Sequence, residues 1–142
     1  MIKKNNKRAF TMIELLAVIV VLTVILVIAV PRILGAVEAS DKESFRITGE
    51  NLVKEALNQH IQEGMNGEKH YIIEDGVFAG DSLNVNGMLP DNGEIFIDEE
   101  GKLALSISNE KWCAKKNIFS EEIIVNGDIF DCELDTSIPS TC

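Results

Sequence analysis

The chain has 142 residues, 46% of them apolar, and a formal net charge of −10 at pH 7. From Tyr71 onward it holds fifteen acidic residues and four lysines. A surface of that charge repels phosphate groups, which argues against a protein that binds nucleic acid directly. Only about 75 residues at the C-terminal end are available for a globular head, a small size for a core that stands alone.

A long apolar segment follows a basic N-terminus. From Phe10 to Val30 the only ionisable residue is Glu14. At about 1.5 Å per residue, a helix over this segment is roughly 31 Å long, close to the thickness of the hydrocarbon core of a bilayer. The positive-inside rule places the N-terminus in the cytoplasm, because four basic residues precede the segment: Lys3, Lys4, Lys7 and Arg8. We predict a single-pass membrane protein with one exported domain.

Glu14 is the unusual residue of this segment. A carboxylate within a membrane-spanning helix costs roughly 2.5–3.5 kcal/mol on insertion scales, so we expect it to have a partner. A cleavable signal peptide is an alternative, with cleavage between Ala39 and Ser40. The apolar run is longer than the usual h-region of about 7–15 residues, which disfavours that reading. A plain signal anchor is a further alternative.

The helix is predicted to continue beyond the membrane. Pro31 removes one backbone donor and is expected to kink the helix rather than end it. Between Arg32 and Glu63, apolar or small residues recur at steps of three and four, which predicts an amphipathic helix. They are Phe45, Gly49, Leu52, Val53, Ala56, Leu57, His60 and Ile61. Gly64 and Gly67 supply the end of the helix.

The rest of the chain is typical of strands and turns. Residues 94–98 and 102–108 alternate in polarity and predict a hairpin. Residues 122–125 and 128–130 flank an Asn-Gly dipeptide and predict a second hairpin with a type I′ turn. A further strand is expected at 112–116 and a short one at 71–73. Together these form an antiparallel sheet laid on the apolar stripe of the helix, an α+β fold.

Candidate chemistry is sparse. His60 continues the helical stripe and is expected to be a packing residue, while His70 has no second ligand at a metal-binding spacing. The acidic loops at 91–94 and 98–101 lack the alternating oxygen ligands of a calcium loop, and calcium binding stays open. No nucleophile has a visible base. We therefore predict neither an enzyme nor a cofactor, and we assign no metal site.

The N-terminal residues resemble those of type IV pilins and pseudopilins. The resemblance covers about residues 1–60 and depends on Ala9 before Phe10-Thr11-Met12-Ile13-Glu14, on the basic leader and on Pro31. It implies that a prepilin peptidase cuts between Ala9 and Phe10 and methylates the new amine of Phe10. The family usually has Gly before the cut, so the efficiency of cleavage after Ala9 stays open.

The resemblance implies a pilin fold: one long N-terminal helix, kinked near Pro31, on a C-terminal antiparallel sheet of three to five strands. The implied division is a leader at 1–9, a transmembrane and filament-core half of the helix at 10–30, an exported half at 31–63 and a head at 64–142. Within the head we expect a connecting loop at 64–93, a sheet at 94–132 and a tail at 133–142.

Glu14 is implied to act in subunit assembly, by meeting the Phe10 amine of a neighbouring subunit. The residues themselves leave an alternative open. Phe10 and Glu14 lie one helical turn apart on one face, so the pair could also form within one chain. Either pairing requires the leader to be cut first.

Three cysteines lie in the exported head: Cys113, Cys132 and Cys142. An oxidising exterior permits a disulfide, which would stabilise a small head by about 2–4 kcal/mol. The resemblance implies Cys132 with Cys142, because many relatives close a loop near the C-terminus. Cys113 with Cys132 would tie the late sheet to itself, and three reduced thiols are the remaining alternative.

The expected function is that of a structural subunit of a type IV pilus-like filament. Implied partners are copies of the chain or related pilins, the prepilin peptidase and an assembly platform in the membrane. The head would be extracellular before assembly and part of a surface filament afterwards. Alternatives are a minor pilin or pseudopilin of a competence or type II secretion-like system, and a membrane-anchored or secreted binding domain. Adhesion, motility, DNA uptake and secretion are not distinguished.

Overall fold

The computed structural model describes residues 9–136 and divides the chain into two compact units, residues 1–39 and 40–142. The predictions on Lys3, Lys4, Lys7, Arg8 and Cys142 fall outside the described residues. A single helix, α1 (Met12–Gln62), belongs to both units and continues through Pro31. The kink at Pro31 stays a prediction.

In the first unit, the helix is apolar on all sides. From Phe10 to Ala39 the side chains are exposed, apart from a half-buried Ala29. By length and composition, α1 qualifies to cross a membrane, and none of its most apolar stretch is buried. This part of the helix therefore has no packing partner within its own unit. A helix that is apolar all round needs other apolar groups around it, such as lipid or other chains.

In the second unit, six strands form one antiparallel sheet in the order β2-β1-β3-β4-β5-β6. The sheet begins at Lys69, well before residue 94, and it has one strand more than the upper end of the predicted range. The strands are β1 (Lys69–Glu74), β2 (Val77–Phe78), β3 (Asn92–Ile97), β4 (Leu103–Ser108), β5 (Cys113–Lys116) and β6 (Ile124–Asn126).

The core lies between the sheet and one face of the helix, which confirms the predicted architecture. The helix buries residues at steps of three and four: Phe45, Gly49, Leu52, Ala56 and His60. In the sheet, every second residue of a strand joins this core, including the cross-strand neighbours Tyr71, Ile95 and Leu105. A Cβ on Gly49 would stand 3.3 Å from Leu105 Cδ2, so the missing side chain is what allows the helix to approach this closely.

The hairpin of β3 and β4 forms as predicted, but the second predicted hairpin is wrong. β6 pairs with β5, with Ala114 opposite Val125, and residues 128–130 are not in a strand. The Asp128 N–H donates to Asn126 Oδ1 at 3.1 Å and turns the chain away. Val125 buries its side chain by joining the sheet, whereas an isolated two-stranded hairpin is marginal in water.

A disulfide joins Cys113 to Cys132, whose Cα atoms are 5.7 Å apart. Cys132 is therefore not paired with Cys142 in the structure. The segment that carries Cys132 lies against β4, because Ser106 Oγ donates to the Cys132 carbonyl at 2.9 Å. Successive side chains of a strand point to opposite faces of the sheet. Leu105 faces the helix, so its neighbour Ser106 faces away from it. The segment around Cys132 thus covers part of the outer sheet face, where Ser106 is buried.

Candidate functional site

The start of α1 is built by Thr11 and Glu14. The Thr11 N–H donates to Glu14 Oε2 at 2.8 Å, and Thr11 Oγ1 donates to the same oxygen at 3.1 Å. In return, the Glu14 N–H approaches Thr11 Oγ1 at 3.3 Å. This reciprocal arrangement is a capping box, with Thr11 at the N-cap and Glu14 three residues later. It gives the Thr11 N–H a partner, and the Glu14 N–H is shared between Thr11 Oγ1 and the Thr11 carbonyl, which lies at 3.1 Å.

The capping box changes the interpretation of Glu14. The sequence suggested that a carboxylate here needs a positive partner, whereas the structure supplies neutral donors from Thr11 in the same chain. The Thr-x-x-Glu spacing is a recognised sign of a helix start, so the feature could have been found in the sequence. Pairing of Glu14 with an amine stays a prediction, because the structure has an intact peptide bond between Ala9 and Phe10.

The predicted cleavage site lies outside the helix. Ala9, Phe10 and Thr11 precede its first residue, Met12, and all are exposed. Phe10 exposes 77% of its surface. A peptide bond outside a helix has no intrahelical hydrogen bonds to break before a protease can bind it. The geometry is compatible with cleavage between Ala9 and Phe10.

In the head, the candidate ligands do not come together. Among residues 9–136, no three His, Cys, Asp or Glu side chains are placed to hold a metal ion. Asp98 Oδ1 instead accepts the N–H groups of Glu100 and Lys102, at 3.0 and 2.8 Å, and so builds the turn between β3 and β4. His60 is 1% exposed, and within the described chain neither of its ring nitrogens has a hydrogen-bond partner.

An ion pair connects the end of the helix to the start of the sheet. Lys69 Nζ lies 2.6 Å from Glu63 Oε2. The hydrogen bond from Lys69 lowers the pKa of the Glu63 carboxyl below its ordinary value of 4.5. The same contact raises the pKa of Lys69. Both side chains are partly exposed, so the pair makes a modest, salt-dependent contribution to stability.

One surface feature of the head was not predicted. A groove of about 530 Å³ lies beside residues 41–48 of α1. It is lined by residues that include Phe45, Leu89 and Trp112. The ammonium groups of Lys42 and Lys111 stand 6.0 and 5.1 Å from the centre of the Trp112 ring. Met88 also lines the groove and is 92% exposed. No pattern in the sequence brings these distant segments together.

The N-terminal geometry agrees with the comparisons to known proteins. Residues 4–30 match the family described as the prokaryotic N-terminal methylation motif. No match was found among curated proteins or among solved structures. Proteins with this motif are structural rather than enzymatic. The matched range contains the predicted cleavage site, Glu14 and most of the exposed apolar helix, so the chain carries the class III prepilin signal of type IV pilins and pseudopilins.

Proposed function

We propose that the chain is a structural subunit of a type IV pilus-like surface filament, which polymerises through its N-terminal helix. The observation that carries the proposal is the match of residues 4–30 to the N-terminal methylation motif. That motif is a processing signal, and it implies removal of the leader by a prepilin peptidase and assembly into pilin polymers.

The exposed apolar helix supports this proposal. Large side chains on every side of the segment, such as Leu16, Val20 and Ile25, expose more than half of their surface. A helix that is apolar all round is stable only when other apolar groups surround it. Lipid supplies such groups to the single subunit, and the helices of neighbouring subunits would supply them in a filament.

The proposed sequence of events begins with cleavage between Ala9 and Phe10 and methylation of the Phe10 amine. The subunit then sits in the membrane with its N-terminus cytoplasmic and its head outside. Assembly follows on a platform in the membrane, where Glu14 pairs with the amine of a neighbouring copy. Until then the capping box gives the Glu14 carboxylate two donors from Thr11, which reduces the cost of keeping it in an apolar segment.

The N-terminus of the exported protein tests this proposal most directly. Mass spectrometry of the protein from the cell surface should find a chain that begins with N-methylated Phe10. An N-terminus at Ser40 would show that the first 39 residues are an ordinary signal peptide, and the proposal would be wrong. As a control, the same measurement on cells without the prepilin peptidase should find the leader still attached.

The abundance of the chain in sheared filaments decides between a bulk subunit and a minor one. A bulk subunit should account for most of the filament mass. If the chain is processed at Phe10 but is present only in trace amounts, and filaments fail to form without it, then it is a minor pilin or pseudopilin that primes assembly.

A further inference from the structure

Four Asn-Gly dipeptides occur in the exported part of the chain, at residues 66–67, 86–87, 92–93 and 126–127. In this dipeptide the backbone nitrogen of the glycine can attack the side-chain amide of the asparagine. Glycine has no Cβ to obstruct that approach, and its backbone reaches conformations closed to other residues. The four sites share one chemistry but lie in different surroundings, so the fold decides how fast each of them reacts.

We propose that Asn86 is a site of spontaneous deamidation. Asn86, Gly87 and Met88 form an exposed part of the irregular connection between β2 and β3. Gly87 has φ +121°, in a region that glycine favours. Among the hydrogen bonds of the described residues, none comes from the Asn86 side chain or from the Gly87 N–H. Both reacting groups are therefore free to meet without breaking an existing bond.

The other three sites are held by the fold. Gly93 lies in a central strand and pairs with Ile73 on one side and Ile107 on the other. The Asn66 side chain donates to the carbonyl of Glu63 at 3.2 Å. Asn126 Oδ1 accepts the N–H of Asp128 at 3.1 Å. At Asn92 a central strand must open before the reaction, whereas Asn126 lies at the end of the edge strand β6, opposite Cys113. At Asn66 a single side-chain hydrogen bond must break.

The reaction needs water and no other reagent. The Gly87 nitrogen bonds to Cγ of Asn86, the bond from Cγ to the side-chain nitrogen breaks, and ammonia leaves with the proton of the Gly87 amide. Water then opens the five-membered imide at either carbonyl and leaves aspartate or isoaspartate. Nothing is oxidised or reduced. The product places a new negative charge two residues from Met88, at the edge of the groove that Met88 and Leu89 line.

The test follows all four sites in one sample of the full chain, kept folded in detergent at mildly alkaline pH in ¹⁸O-labelled water. Peptide mapping then measures the label and the change from amide to acid at each asparagine. We expect Asn86 to react first, Asn66 and Asn126 more slowly, and Asn92 at least about tenfold more slowly than Asn86, because Asn92 must wait for the strand to open.

Two controls make the result decisive. In denaturant the four rates should converge, which would show that the fold and not the local sequence sets the order. N86Q keeps an amide but requires a larger ring, so it should abolish the reaction at this position and leave the other three rates unchanged. The proposal is overturned if Asn92 reacts as fast as Asn86 in the folded chain, or if Asn86 stays intact while Asn66 or Asn126 reacts. The prediction does not depend on filament assembly.

Discussion

The same helix behaves differently in the two units of the molecule. In residues 12–39 its apolar side chains point in every direction and remain exposed. In residues 40–62 the buried residues follow one stripe, on which Leu52 and Ala56 are completely buried against the sheet. Ile61 was predicted to lie on this stripe, but its side chain is exposed. The comparison shows one continuous helix that is covered by a sheet of its own chain in one part and keeps an uncovered apolar surface in the other.

Glu14 should give the largest effect in the first region, since it is the one ionisable residue in the apolar segment. We expect E14A to insert into the membrane and to be processed, but to be lost from filaments. E14Q is the sharper variant, because an amide oxygen can still accept the Thr11 N–H while the charge is gone. We expect E14Q to fail in assembly as well, as judged by the amount of subunit in sheared filaments.

Normal assembly of E14Q with failure of E14A would mean that Glu14 acts through the capping box and not through its charge. T11V provides the complementary control. It removes the hydroxyl that both donates to Glu14 and accepts from its N–H, while it keeps the backbone donor and the charge.

In the second region, the largest loss of stability is expected for Leu52, which is 0% exposed at the helix–sheet interface. L52A should lower the free energy of unfolding of the second unit (residues 40–142) by about 2–5 kcal/mol, because it leaves a cavity. Urea titration followed by tryptophan fluorescence measures this, since the single Trp lies in the head. I61A, on the exposed side of the same helix, is the matched control and should change stability by less than about 0.5 kcal/mol. Equal effects would contradict the observed packing.

The disulfide comes next in size. C132S and C113S should each lower stability by about 2–4 kcal/mol and should behave alike, because each removes the same bond. C142S should have little effect on the free energy of unfolding. It should also release no thiol from the Cys113–Cys132 disulfide. A strong loss of stability for C142S, with C113S neutral, would instead support a pairing of Cys132 with Cys142.

The ion pair between Glu63 and Lys69 should give the smallest effect. The pKa of Glu63 is lower in the folded than in the unfolded chain. Its contribution is therefore present at neutral pH and is lost as the pH falls through the folded pKa. E63Q should be less stable than the parent at pH 7 and equally stable in acid, by urea titration. E68Q is the control, because Glu68 forms no ion pair among the described residues. A loss for E63Q that is the same at both pH values would contradict the role of charge.

Several features of this fold follow from local patterns that the sequence already contains. The residues from Phe45 to His60 recur with the period of a helix, and this alone identified the face that the sheet covers. The β3–β4 hairpin has alternating residues on both sides of a short polar turn. The Thr11 to Glu14 spacing also marks the start of the helix, because it is the spacing of a capping box.

Features that depend on distant parts of the chain were not predictable in this way. β6 could pair with residues 128–130 or with β5, and only the burial of Val125 beside Ala114 decides between them. β2 has two residues, too few to show a periodicity in the sequence. It forms because these residues pair with the edge of β1. Cys113 meets Cys132 because the chain after β6 returns across the outer face of the sheet.

The sequence by itself therefore determined the long apolar segment, the processing signal and the periodicity of the helix, because each depends on consecutive residues. Only the tertiary structure decided the order of the strands, the disulfide, the groove beside Trp112 and which Asn-Gly bond is free to react. Those features depend on which distant segments exclude water from one another, and no stretch of consecutive residues contains that information.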